Sequence, residues 1–258
     1  MSENLRVSVD AGIATIVLDR PPANAMSTAV MHELSEACTF VSGEGSVRVA
    51  IVRSDVPGFF MAGADLKDMS QRMDRVALTN ASFREFLDRW EKVPFPTIAQ
   101  IEGHALGGGC ELALACDFRV MAEGPIWIGL PEVKHGLLPA GGGTQRMLRL
   151  LGRARTLDLI LRGRRIHAEE AAQLGLITKS CHPDSVQRCV SDLASEFLKL
   201  APLTLAAIKR IIIESEDMSM LGGLSLEALE MSKLGFTDDV REGVAAFVEK
   251  RPADFKGR

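Results

Sequence analysis

Two carboxylates and two small-residue turns are the chemically promising parts of this 258-residue chain. In Ala105-Leu106-Gly107-Gly108-Gly109-Cys110-Glu111-Leu112 an apolar strand runs into three glycines, and a helix then opens with an acid in its first turn. Glycine lets the main chain approach a ligand closely, and the free N–H groups at a helix start favour negative charge. Glu111 therefore serves either as an acid–base group or as a carboxylate that complements the helix dipole. Phe59-Phe60-Met61-Ala62-Gly63-Ala64-Asp65-Leu66-Lys67 repeats the pattern of strand end, small-residue turn and helix start. Two such turns can offer two backbone N–H groups to one developing oxyanion; losing one donor of such a pair typically costs ~2.7–4 kcal/mol. Gly129-Leu130-Pro131-Glu132 adds a second carboxylate, and Leu138-Pro139-Ala140-Gly141-Gly142-Gly143-Thr144-Gln145-Arg146 another glycine-rich turn.

These groups need a frame, and the residue pattern predicts one. Leu5 to Asp10 and Ile13 to Asp19 read as a hairpin turning at Asp10-Ala11-Gly12, and residues 28–41 put Met31, Leu34, Cys38 and Val41 on one helical face. Val47 to Arg53, Thr97 to Ile101 and Asp117 to Met121 read as strands, with one or two helices over 68–93 ended by Pro94 and Pro96. Met69, Met73, Phe83, Phe86 and Trp90 on that segment are either core or the lining of a pocket. Strands alternating with helices define an α/β class. Helical patterns prevail from about Asp192, so the expected organisation is a mixed core over residues 1–195 and a helical region over 196–258.

Composition is that of an ordinary globular protein, 47% hydrophobic and 25% charged. A formal net charge of −4 and the absence of a long Lys/Arg run argue against a nucleic-acid partner. No apolar run reaches spanning length and the first residues lack a targeting pattern, so no membrane association and a cytoplasmic location are expected. The five cysteines, Cys38, Cys110, Cys116, Cys181 and Cys189, show no metal spacing and are expected to be reduced and mostly buried. No metal site is expected. His104 and His135 flank the glycine turn and Glu132 and read as hydrogen-bonded structural residues that border a cleft.

In order and spacing, six segments resemble the crotonase superfamily, the enoyl-CoA hydratases and isomerases. They are Asp19-Arg20-Pro21-Pro22-Ala23-Asn24-Ala25-Met26, the three stretches above, Ala171-Ala172-Gln173-Leu174-Gly175-Leu176, and Glu242-Gly243-Val244-Ala245-Ala246-Phe247-Val248-Glu249-Lys250-Arg251. The resemblance implies a spiral of ββα units with a C-terminal helical region that assembles trimers, often paired into hexamers, and completes the CoA site. It implies an acyl-CoA thioester as substrate, with CoA as part of that substrate and no separate cofactor. The N–H groups of Ala64 and Gly108 would form the oxyanion hole. Glu111 would position water and act as its base, and Glu132 would deliver the α-proton. Ala25, Ala62, Asp65, Leu66, Lys67, Gly107, Ala140, Phe247 and Lys250 would contact substrate or CoA.

Both glutamates are present, which favours a hydratase over a 3,2-enoyl-CoA isomerase, a reaction that needs a base only at Glu132. A decarboxylase or hydrolase of the same fold is a further alternative. An RNA-binding relative would carry a lysine-rich helix face, whereas residues 68–95 are charge-balanced. Two departures from the family pattern stand out: the stretch Ala122 to Trp127 is one residue longer than in some hydratases, and Ala140 stands where many relatives carry glycine.

Overall fold

The computed structural model describes residues 3–71 and 76–258, without the side chains of 76–79. Strands β1 (Leu5–Asp10) and β2 (Ile13–Leu18) form the expected antiparallel hairpin, with Asp10 paired to Ile13 across the turn. Helix α1 (Thr28–Gly43) starts where the Ser27 hydroxyl accepts the Val30 N–H, and it buries the face carrying Met31, Leu34, Cys38 and Val41. Next come β3 (Val49–Ser54), β4 (Phe59–Met61), α2 (Leu66–Ser70), α3 (Val76–Glu91), β5 (Thr97–Ile101), β6 (His104–Leu106) and α4 (Gly108–Leu114). The chain continues through β7 (Phe118–Ala122), β8 (Ile128–Gly129), a 3₁₀ turn at Glu132–His135, α5 (Gly143–Leu161), β9 (Arg165–Ile166), α6 (Ala168–Leu174) and β10 (Lys179–Cys181). Four helices close it: α7 (Val186–Leu198), α8 (Pro202–Ser215), α9 (Met220–Leu234) and α10 (Asp238–Glu249).

The larger sheet has the order β1-β2-β3-β5-β7-β10, and every pair beyond the hairpin is parallel. Its central strands are buried on both faces, as parallel strands covered on two sides must be. Ala50 and Val52 of β3 join the main core under α1 and α3, while the alternate residues Val49 and Ile51 pack with Val186, Val190 and Ala194 of α7. The smaller sheet, β4-β6-β8-β9, is parallel except for the β8–β9 pair. Each of its first three strands ends at a segment that borders the candidate site.

The 195/196 boundary expected from sequence falls inside α7, which belongs to the sheet's packing; the helices beyond it begin at Pro202. Lys209 of α8 is anchored to the core by donating to the Asp117 carboxylate and the Phe95 carbonyl. Helices α9 and α10 and the link between them leave Met220, Leu221, Phe236, Phe247 and Val248 exposed. Among the described residues no helix is long and apolar enough to cross a membrane. The expectation of five reduced cysteines is corrected for one pair: Cys181 at the end of β10 and Cys189 on α7 are joined as a disulfide, and Cys38, Cys110 and Cys116 are free and buried. The two partners are eight positions apart in sequence, and the packing of α7 on the sheet that β10 edges brings them together.

Candidate active site

Parallel pairing of β4 with β6 sets the two small-residue turns side by side. A Cβ placed on Gly63 would lie 3.0 Å from the Leu106 carbonyl oxygen and 3.5 Å from the Gly108 nitrogen. Gly63 and Gly107 both have positive φ, +94° and +54°, conformations that L side chains rarely adopt, and each immediately precedes one of the two candidate donors. Among the described residues neither the Ala64 N–H nor the Gly108 N–H has a protein acceptor.

The first turn is buttressed from behind by the Asp19–Met26 segment. Met26 donates to the Gly63 carbonyl (2.7 Å), Asp65 donates to the Met26 carbonyl (3.0 Å), and Ala62 donates to the Ala23 carbonyl (3.0 Å). Asn24, buried at a positive φ, gives its amide N–H groups to Ser54 Oγ and the Phe60 carbonyl and accepts the Arg20 N–H.

Glu111 sits in the first turn of α4 and is only 3% exposed. Its Oε1 accepts the N–H of Gly141 at 2.7 Å and of Gly143 at 2.9 Å. Burial pushes the proton affinity of this carboxyl up, while the two N–H groups and the Arg146 charge pull it back. Glu132 opens the 3₁₀ turn after β8. Its Oε1 comes within 3.2 Å of where a Gly107 side chain would begin, and its buried Oε2 has no hydrogen-bond partner among the described residues. Burial pushes the Glu132 carboxyl up to about 7, and the Glu111 charge works in the same direction. Both carboxylates, both turns and Met26, Met69, Phe83 and His135 line a single cleft of about 160 Å³. A larger cavity, about 390 Å³, lies between residues 92–94 and helices α8 and α9, and holds neither glutamate nor either turn.

A family model described as enoyl-CoA hydratase/isomerase matches residues 8–258. The chain belongs to the enoyl-CoA hydratase/isomerase family. It is an enzyme of that family, and its α/β architecture is the crotonase fold. A probable enoyl-CoA hydratase of Bacillus subtilis (strain 168) is 36% identical over 256 residues, covering 98% of each chain. The 2,3-dehydroadipyl-CoA hydratase of Escherichia coli (strain K12) is 36% identical over the whole of both chains. A crystal structure of an enoyl-CoA hydratase from Bacillus anthracis superposes with a TM-score of 0.95 at 34% identity, covering 99% of this chain and 100% of that one.

Within this enoyl-CoA hydratase/isomerase family member, the remaining sequence candidates divide into two groups. Ala62, Leu66, Gly107 and Ala140 border the cleft. Asp65 does not turn its carboxylate into it: that group caps α2 by accepting the N–H groups of Lys67 and Asp68, and it pairs with Arg20. Ala25 lies behind the first turn, its carbonyl accepting from Arg20, and Lys67 is exposed on α2. Phe247, 86% exposed, and Lys250 stand at the far end of α10 and do not line the cleft of their own chain. Of the possible pocket residues, Met69 and Phe83 border the cleft. Phe86 and Trp90 are core, the Trp90 indole N–H donating to the Cys116 sulfur, and Met73 lies outside the described residues. His104 faces away from the cleft, its Nδ1 accepting the Trp127 N–H, whereas His135 borders it. The sequence reading did not find the tie between Glu111 and the Gly141 turn, nor the buttress by Asn24. The glycine run and the Asp19–Met26 motif were the available signals for each.

Proposed function

We propose that the protein is an enoyl-CoA hydratase that adds water reversibly, with syn geometry, to a 2-trans-enoyl-CoA thioester. The observation that carries this reading is the shared cleft: two acceptor-free N–H groups on adjacent turns, beside one carboxylate held by backbone donors and one with a buried oxygen unpartnered among the described residues. The thioester oxygen binds between the Ala64 and Gly108 N–H groups, which meet the charge of the enolate-like state without reorganising. Glu111, ionised, takes a proton from water as the water oxygen bonds to the β-carbon. Glu132, protonated, gives its proton to the α-carbon as the double bond is lost. Transfer of the proton from Glu111 back to Glu132 resets the pair, so no further cofactor or metal is consumed.

Isomerisation of a 3-enoyl-CoA needs Glu132 alone, and the backbone cradle that orients Glu111 would then have no task. CoA is held by the main chain around Ala25 and Ala62 and by Leu66, Lys67, Gly107 and Ala140. Phe247 and Lys250 reach the CoA of a neighbouring subunit in a homotrimer or a dimer of trimers, located in the cytoplasm. The exposed apolar faces of α9 and α10 support that assembly, which light scattering after size exclusion tests directly. The deciding experiment follows the enoyl absorbance of crotonyl-CoA. Wild type is expected to consume it, with turnover at least about 100-fold lower in Glu111→Gln and in Glu132→Gln. Unchanged absorbance with wild type, or mild effects in both variants, would refute the two-glutamate hydratase.

A further inference from the structure

Arg146 lies one turn into α5, three residues beyond the N–H of Gly143 that holds Glu111. Its side chain is 10% exposed, and all three guanidinium nitrogens donate hydrogen bonds. Nη1 donates to the Gly141 carbonyl at 2.8 Å, Nε and Nη2 form a fork on the Glu91 carboxylate at 2.9–3.2 Å, and Nη2 also donates to Asp88 at 2.8 Å. Gly141 is thus gripped on both sides: its N–H points to Glu111 and its carbonyl to Arg146. Asp88 and Glu91 belong to α3, the helix whose Phe83 packs against Gly108 and Gly141 at the cleft.

We infer that Arg146 is a positioning residue: by bracing the Gly141 turn against α3 it fixes the N–H groups that orient the Glu111 carboxylate. This rests on the hydratase reading for its kinetic consequence, though not for the brace itself. A planar fork with five donors suits the task, because it can hold two carboxylates and a carbonyl in one fixed geometry. A lysine would keep the charge and lose the fork. The charges facing Arg146 are Asp88 and Glu91 on α3, Glu216 just beyond α8, and Arg149 on its own helix; those facing Glu111 are Arg146 and Glu132, with the Cys110 thiol beside them. Among the described residues, the Arg146 charge favours the ionised form of Glu111.

Arg146→Gln is expected to lower kcat on crotonyl-CoA by about 10- to 100-fold with KM within about threefold, as for other groups that orient a reacting carboxylate. Its acid limb in the pH–rate profile is expected at higher pH than in wild type, because Glu111 loses the charge that favours ionisation. Arg146→Lys should lose less and keep its acid limb near that of wild type. Arg149→Gln, whose side chain pairs with Glu216 and Asp217, should behave as wild type. Should Arg146→Gln fail to fold, Asp88→Asn/Glu91→Gln removes the far anchor instead and is expected to lower kcat at constant KM. Amide exchange of Gly141 and Gly143 in substrate-free protein reads the brace without turnover, and should speed up in Arg146→Gln. Wild-type exchange at both amides, or a fall in kcat with no movement of the acid limb, overturns the inference. A wild type that does not hydrate crotonyl-CoA would count against the hydratase reading instead, and the exchange data would still decide the role of Arg146.

Discussion

Glu111 and Glu132 border the same cleft, yet the chain surrounds them in opposite ways. Glu111 is anchored: two backbone N–H groups donate to its carboxylate and an arginine holds the carbonyl of the turn that carries them. Glu132 has one buried oxygen without a partner among the described residues, and burial pushes its carboxyl up to about 7. An anchored, hydrogen-bonded carboxylate suits a base that must present one fixed lone pair to water. A carboxyl with a free oxygen and a raised proton affinity suits an acid that must hand its proton to carbon. The difference comes from the surroundings, N–H donors and the Arg146 charge at Glu111 against burial at Glu132, since both groups are carboxylates of the same residue type in one pocket.

The contrast can be broken most severely at the carboxylates themselves. Beyond the shared loss of turnover, Glu132→Gln and Glu111→Gln should part company in stability. The folded Glu132 carboxyl binds its proton more tightly than the unfolded one, so between pH 4.5 and about 7 the folded state carries the extra proton. The stability linked to this group falls as pH rises through that window, and the loss is complete above it. Glu132→Gln should therefore raise Tm at pH 8 by about 2–4 °C, with a smaller gain in Glu111→Gln, where N–H donors and Arg146 already support the anion. Equal shifts in a thermal melt would erase the distinction.

A smaller effect is expected from the donor between them. A Cβ on Gly108 would come within 2.5 Å of the Met26 terminal methyl and 3.6 Å of the Phe83 ring. Gly108→Val should displace the second turn and lower kcat by about 10- to 100-fold; full turnover would remove Gly108 from the oxyanion hole. The pH profile sharpens the assignment further. kcat/KM should fall above about pH 7 as Glu132 loses its proton, and on the acid side as Glu111 gains one. A profile flat from pH 6 to 9 would contradict the acid role. The smallest effect is expected far from the glutamates: Lys250→Ala should raise KM for crotonyl-CoA by about two- to fivefold at low salt and weaken its salt dependence. An unchanged salt response would separate Lys250 from the CoA phosphates.

Much of this arrangement was legible in the residues because it is local. The hairpin over 5–18, the helix from 28 and the strand Thr97–Ile101 follow from period and capping alone. Gly63 and Gly107 mark their turns because few other residues take a positive φ, and Glu111 and Glu132 stand out beside them. What escaped is long-range. The bond from Gly141 to Glu111 spans 30 residues and exists only because α5 begins where α4 is buried. Asn24 reaches Phe60 across 36, and Cys181 meets Cys189 when α7 packs on the sheet that β10 edges. The aromatic stripe of α3 split for a related reason: Phe83 faces the cleft while Phe86 and Trp90 point into the main core, a division that helical spacing alone leaves open.

The donors at Ala64 and Gly108 belong to the main chain, and this gives the two parts of the site unequal tolerance to mutation. No codon change removes a peptide N–H unless it installs proline, so the anion-binding frame survives any substitution that spares the turn. A single codon change at Glu111 or Glu132 deletes the acid–base group outright. A lineage built on this fold can thus exchange its reaction by altering a few side chains while inheriting the thioester cradle intact.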